Sequence, residues 1–126
     1  MLRIKMRIAT ILILFAAVTA NAAGDEIIKA AETGDISAVS ELLKRGSDIN
    51  YIDDKGRTAL LVALERGALP LTELLIKNGA DVNLKNPKSG INPIFFAVIS
   101  GNGKMVNLLL SKGAEINSRT GNGSTP

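Results

Sequence analysis

Apolar residues recur along this chain at helical spacing, in short runs that stop at glycine. Ile27, Ile28, Ala30 and Ala31 form one stripe that closes at Gly34. Ile36, Val39, Leu42 and Leu43 form a second before Gly46, at offsets of 0, 3, 6 and 7 that place all four on one helix face. Asp25 and Asp35 precede the two runs and are expected to be their N-caps. The pattern returns in Thr58-Ala59-Leu60-Leu61-Val62-Ala63-Leu64, a turn at Gly67, and a run from Pro70 to Lys77. It returns again in Asn92-Pro93-Ile94-Phe95-Phe96-Ala97-Val98, a turn through Gly101-Asn102-Gly103, and a run from Lys104 to Ser111. Proline in the first turn of a helix is tolerated because its missing N–H would have no partner inside the helix. Each predicted helix is too short to be stable alone in water, so the stabilisation must come from its neighbours.

The spacing of the runs is itself regular. Gly46, Gly79 and Gly113 stand four residues before Asn50, Asn83 and Asn117, with a period of 33 and then 34 residues. Ala30, Ala63 and Ala97 keep that step, as do Gly34, Gly67 and Gly101, and Leu43, Ile76 and Leu110. Thr58, Asn92 and Thr125 keep it as well. A period held by so many positions predicts an all-α stacked array in which each unit buries its apolar face against the next. The units are expected at 25–50, 51–83 and 84–117, with a fourth beginning at 118–126. Arrays normally end in a capping unit with a polar outer face. None is visible here, so the expectation is a fragment or truncated product, the alternative being a tail that folds back as a short cap.

The first 22 residues break the pattern. Arg3, Lys5 and Arg7 precede an uncharged stretch from Ile8 to Ala23, and Ala20-Asn21-Ala22 supplies small residues for a cut before Ala23. This reads as a signal peptide over 1–22, ahead of a domain over 23–126. The stretch is shorter than the roughly 20 apolar residues of a spanning helix, so the processed chain is expected to be free of the membrane. The formal charge of +3 then loses its meaning: three of the fifteen basic residues lie in the leader, and the remainder balance the twelve acidic ones. No basic footprint is left to argue for nucleic acid. The chain has no cysteine, so stability must come from packing alone, and an exported protein without disulfides suits a bacterial periplasm.

The units resemble the ankyrin repeat. Gly56-Arg57-Thr58-Ala59-Leu60, then Ala63, Gly67, Leu74-Leu75-Ile76 and Gly79-Ala80-Asp81-Val82-Asn83 follow that family's pattern, and the first unit looks like an N-terminal repeat without its leading finger. The resemblance implies a solenoid of helix-turn-helix units with short hairpin fingers. Two departures matter. The family's histidine is replaced by Leu61 and by Phe95, so apolar packing must substitute for its hydrogen bonds. The finger from Leu84 to Ile91, with Pro87 and Gly90, has one extra residue and is expected to project differently.

Candidate chemistry is sparse. Without histidine or cysteine, Ser-His-Asp and Cys-His catalysis and imidazole or thiolate metal sites are excluded. Gly103-Lys104 does not make a phosphate loop, because Val98 and Met105 stand where a glycine and a Ser or Thr are required. Asp48 to Asp53 fails as a calcium loop at Ile52 and Asp53. Asp53 reads as a turn aspartate. One of Phe95 and Phe96 is expected to fill the core, and Tyr51 is a surface aromatic suited to an interface.

The resemblance implies binding through the finger tips and the exposed face of the first helices. Carried residue by residue, those positions are Glu32 and Thr33 in the first unit, Ile52, Asp54, Lys55, Arg57, Glu65 and Arg66 in the second, and Lys85, Lys88, Ile91, Ile99 and Ser100 in the third. The expected function is a non-catalytic protein-protein interaction module, needing no cofactor and acting as a periplasmic or secreted scaffold or accessory protein. The alternatives are an inhibitor or immunity-type protein that neutralises a toxin or enzyme, and a secreted host-directed effector. An enzyme using Asp53, Asp54 or Glu65 would need converging carboxyl groups in a pocket, which an open stack seldom provides.

Overall fold

The computed structural model describes residues 24–116. The leader expected over 1–22 and the fourth unit expected from 118 lie outside the described residues. Those residues form six helices and no strand. They are α1 (24–33), α2 (Ile36–Lys44), α3 (Ala59–Glu65), α4 (Leu69–Lys77), α5 (Pro93–Ile99) and α6 (Gly103–Ser111). Consecutive pairs make three units. Helix α3 packs on α4 and α5, α5 on α6, and α4 on both α2 and α6, so first helices and second helices form two parallel rows.

Polar side chains set the helix starts. Asp35 Oδ1 accepts from the Ala38 N–H at 3.0 Å, Thr58 Oγ1 from Leu61 at 3.2 Å, and Asn102 Oδ1 from Met105 at 3.2 Å. Helices α4 and α5 carry proline in the first turn instead. Asp25 is not the N-cap expected of it. The chain is already helical at 24, so Asp25 lies inside α1 and its carboxylate is used elsewhere. Between α3 and α4 the backbone reverses at Gly67, whose φ of 67° is a conformation that a Cβ would strain; Gly34 and Gly101 hold the same place in their units.

The middle unit is the most enclosed. Every residue of α3 from Ala59 to Leu64 is buried, as expected of a helix that is apolar all round and covered on each side. Val39, Leu71, Leu75, Ile94, Ala97, Met105 and Leu109 continue this core without a break. Leu61, in place of the family's histidine, is buried. Neither Phe95 nor Phe96 fills the core as expected: both are half-buried, with Phe96 packed against the core from its edge, because Ile94 and Ala97 hold the inward positions of α5. The stripe predicted for α2 holds only in part. Val39 is fully buried and Leu42 and Leu43 pack at the core edge, but Ile36 is 41% exposed, since it is the first residue of its helix and lies beyond the packed stretch.

The periodic asparagines bridge the units. Asn50 Oδ1 accepts from the Asp81 N–H at 2.9 Å. One unit later, Asn83 Oδ1 accepts from Glu115 N–H at 2.9 Å, and its amide donates to the Gly113 carbonyl at 3.0 Å. Each side chain thus satisfies backbone groups of the unit that follows, about one period ahead.

The fingers are turns rather than β-hairpins. In the first, the Asp53 N–H donates to the Arg57 carbonyl at 3.0 Å; in the second, Asn86 donates to Ile91 at 2.9 Å. The extra residue falls inside the second closure. Strand ladders do not form because side chains take up the backbone donors: Asp53 Oδ1 accepts from Lys55 and Arg57 N–H, and Asn86 Oδ1 from Lys88 and Ser89 N–H.

Deleting core volume should cost far more than trimming the edge. Leu75→Ala is expected to lose about 2–5 kcal/mol, Asn83→Ala about 1 kcal/mol, and Ile36→Ala about 0.5 kcal/mol or less, each read from urea unfolding followed by circular dichroism.

Candidate binding surface

Helix α1 brings Asp25, Ile28, Lys29 and Glu32 to one face, at offsets of 0, 3, 4 and 7. The first finger closes over that face with Asp53, Asp54, Lys55 and Arg57, and together they line an open groove of about 280 Å³. Of the residues expected to meet a partner, the groove gathers Glu32, Asp54, Lys55 and Arg57. Sequence reasoning missed Asp25, Ile28 and Lys29, although their helical spacing from Glu32 is the signal that finds them.

Arg57 organises the groove. Its Nη2 lies 2.7 Å from Glu32 Oε1 on α1 and 2.9 Å from Asp53 Oδ2, and its Nε donates to the same Asp53 oxygen at 3.0 Å. Burial would raise the Asp53 pKa, but the hydrogen bonds from the Arg57 backbone and side chain, its charge, and the Lys55 N–H outweigh this and hold it below the usual carboxylate value. Burial likewise opposes the charge on Arg57, and its bonds to Glu32 and Asp53 more than offset it, leaving the guanidinium pKa raised. From the residue that follows α3, Arg66 Nη1 donates to the Glu32 carbonyl. Two arginines of the second unit therefore hold the end of α1.

Tyr51 is drawn into the same clamp. Its hydroxyl donates to Asp25 Oδ1 at 3.1 Å, and its ring lies so close over α1 that a Cβ at Gly24 would overlap it. That hydrogen bond raises the phenol pKa, with partial burial and the charges of Asp25, Asp53 and Asp54 acting in the same direction. The two fingers are also locked together. Asn86 Nδ2 donates to the Lys55 carbonyl at 3.3 Å, and its carboxamide occupies the space a side chain at Gly56 would need, at a φ of 79°.

The remaining expected positions are spread along the array. Ile52 is 37% exposed beside the first finger, and Ile99, at the end of α5, is 67% exposed. Asp54, Lys55, Glu65, Lys85 and Lys88 are exposed, and Ile91 is half-buried. The Thr33 and Ser100 hydroxyls donate to their own helices, to Ala30 and Ala97 carbonyls at 3.0 and 2.9 Å. Among the described residues there is no group of acidic side chains able to hold a metal ion, and no helix long and apolar enough to cross a membrane. The arrangement presents fixed charges and isolated aliphatic side chains on a rigid support, the composition of a polar-rimmed contact surface.

Asp53→Asn isolates the charge in the clamp, because asparagine is the natural residue at the equivalent Asn86. The folded-state pKa of Asp53 is lowered, so its contribution is complete above the unfolded value near 4 and is lost as pH falls through the folded value. The variant should be less stable by about 1 kcal/mol at pH 7, a figure kept small by partial solvent screening. The difference from the parent should shrink as pH falls through the lowered folded-state pKa of Asp53 and vanish once the carboxyl is protonated in both states, as read from urea unfolding at each pH.

The chain matches the family of ankyrin repeats, in three copies, over residues 27–120. It is 31% identical over 101 residues to an ankyrin repeat protein of Fowlpox virus, covering 79% of this chain and 17% of that protein. It is 32% identical over 101 residues to ankyrin repeat and SAM domain-containing protein 6 of Rattus norvegicus, covering 79% of this chain and 11% of the other. A shorter ankyrin repeat protein of Rickettsia felis is 43% identical over 49 residues, 39% of this chain and 78% of that protein. The chain thus spans a small part of the long relatives, and what it shares with them is the repeat. With the family match extending over the greater part of its length and all six described helices arranged as stacked pairs, this chain belongs to the ankyrin-repeat family.

Proposed function

We propose that this ankyrin-repeat chain is a non-catalytic scaffold or accessory protein of the bacterial periplasm, binding another protein through its fingers and the exposed face of its first helices. Ankyrin repeats are protein-protein interaction modules. The charged leader with its apolar run supports export, and the lack of cysteine suits a bacterial periplasm better than a eukaryotic secretory route. The observation that carries the binding reading is the Arg57 clamp. It holds the first finger against α1 through two carboxylates, so Asp54 and Lys55 are presented beside Glu32 and Lys29 before any partner arrives. A surface ordered in advance loses little conformational entropy on binding. Ile52 and Ile99 supply the apolar contacts that such a charged surface otherwise lacks.

The test is affinity capture from periplasmic extract at physiological salt, comparing the parent with an Ile52→Asp, Lys55→Glu, Ile99→Asp triple variant. None of these side chains takes part in the clamp, so the variant should keep the parent's circular dichroism. A protein retained by the parent and lost by the folded variant is the expected result. Identical capture by both would place binding on another surface, and capture only from a cytoplasmic extract would overturn the periplasmic assignment.

A further inference from the structure

The two fingers use their charges differently. In the first, Arg57 pairs with Asp53 and with Glu32 of α1, so the clamp takes up both finger charges. In the second, Asn86 stands at the repeat position of Asp53 and Ile91 at that of Arg57, and no such pairing is possible. Between Val82 and Ala114 the chain carries Lys85, Lys88, Lys104 and Lys112 and no acidic residue. The ion pairs among the described residues are made by Arg45 and Arg57. Lys55, Lys85 and Lys88 therefore bring uncompensated ammonium groups to the finger tips. Neither 1–23 nor 117–126 contains an aspartate or glutamate that could pair with them.

The exposure of these lysines follows from their place in the repeat. Lys85 and Lys88 hold the positions of Ile52 and Lys55, and those two are exposed although the third unit is packed onto the second. The tips are open whatever adjoins the third unit. They also form one surface, because Asn86 donates to the Lys55 carbonyl and fills the space beside Gly56. That lock sets the equivalent residues Ile52 and Lys85 in adjoining places. Across the joined tips, three lysines stand against one carboxylate outside the clamp, that of Asp54. Ile52, 37% exposed, is the aliphatic contact among them.

We propose that the joined finger tips dock an acidic segment of a partner protein, its carboxylates against Lys55, Lys85 and Lys88 and an aliphatic side chain on Ile52. This rests on the binding reading above and names the chemistry of the partner. The lysines select by charge and Ile52 gives the contact an apolar centre. A nucleic acid fits these tips less well. They carry no arginine outside the clamp and no free aromatic ring on which a base could stack, since Tyr51 is held against α1.

Fluorescence anisotropy of the full chain with a labelled Glu-Glu-Leu-Glu-Glu peptide tests this, with circular dichroism to confirm that each variant is folded. The acidic peptide should bind more tightly than its Gln-Gln-Leu-Gln-Gln counterpart, and its affinity should fall as salt rises. Lys85→Glu with Lys88→Glu should weaken it by about tenfold, and Lys85→Arg with Lys88→Arg should retain it. Lys77→Glu with Lys104→Glu, the same change of net charge placed on the second helices, should leave it unaltered. Equal binding of the two peptides would overturn the proposal, as would equal losses from the two charge-reversed variants. Tighter binding of oligothymidylate or of phosphatidylglycerol vesicles than of the acidic peptide would overturn it in favour of a nucleic acid or a membrane. If the acidic peptide fails while periplasmic capture still depends on Ile52, Lys55 and Ile99, the partner's chemistry is wrong and the scaffold reading stands.

Discussion

A helix of seven to nine residues cannot hold itself together in water, and α2 to α6 are all of that length. The structure therefore depends on one constraint: each two-helix unit must lie against another. α3 shows the constraint at its strongest. Its residues from Ala59 to Leu64 are buried on every side, so the middle unit has no free apolar face. Its surroundings are the two flanking units, and its burial is their reason for staying in place. Stability in such an array is shared between neighbours and grows with their number.

Hydrogen bonds add register to this non-directional attraction. Apolar surfaces of two rows of helices could slide; the asparagine bridges cannot without leaving backbone donors unsatisfied. Arg57 extends the same logic to the binding surface, joining a finger of the second unit to the first helix of the unit before it. The surface is thus assembled across unit boundaries, and the contacts that keep the stack in register also set the geometry that a partner meets.

Much of this could be read from the sequence, because the repeat spacing and the helical offsets report directly on burial and on element type. Asp35 and the proline-initiated helices followed from local chemistry alone. The misreadings came where a residue's fate depended on what lay outside its own helix. Asp25 resembled a cap, but α1 begins earlier. Ile36 fitted an apolar stripe, yet stands at the helix edge. Arg57 looked like a free finger cation because nothing in the local sequence tells that Glu32, 25 residues earlier, lies within reach. The α1 side of the groove is legible in the spacing of Asp25, Ile28, Lys29 and Glu32, whereas the positions carried over from the family reach only the last turn of that helix, at Glu32 and Thr33.

The second finger shows how such a protein can change what it recognises without changing how it folds. Asn86 and Ile91 close the loop by a backbone hydrogen bond, and Asn86 anchors it to the first finger, so everything on the far side of that closure is decoupled from the spacing that Asn50 and Asn83 enforce. The extra residue sits in that permissive window. Loop length there is a free variable for molecular evolution: residues may be gained or lost at the tip while the helices behind keep their phase. The same freedom makes the tip a natural place for grafting a foreign recognition sequence onto this scaffold.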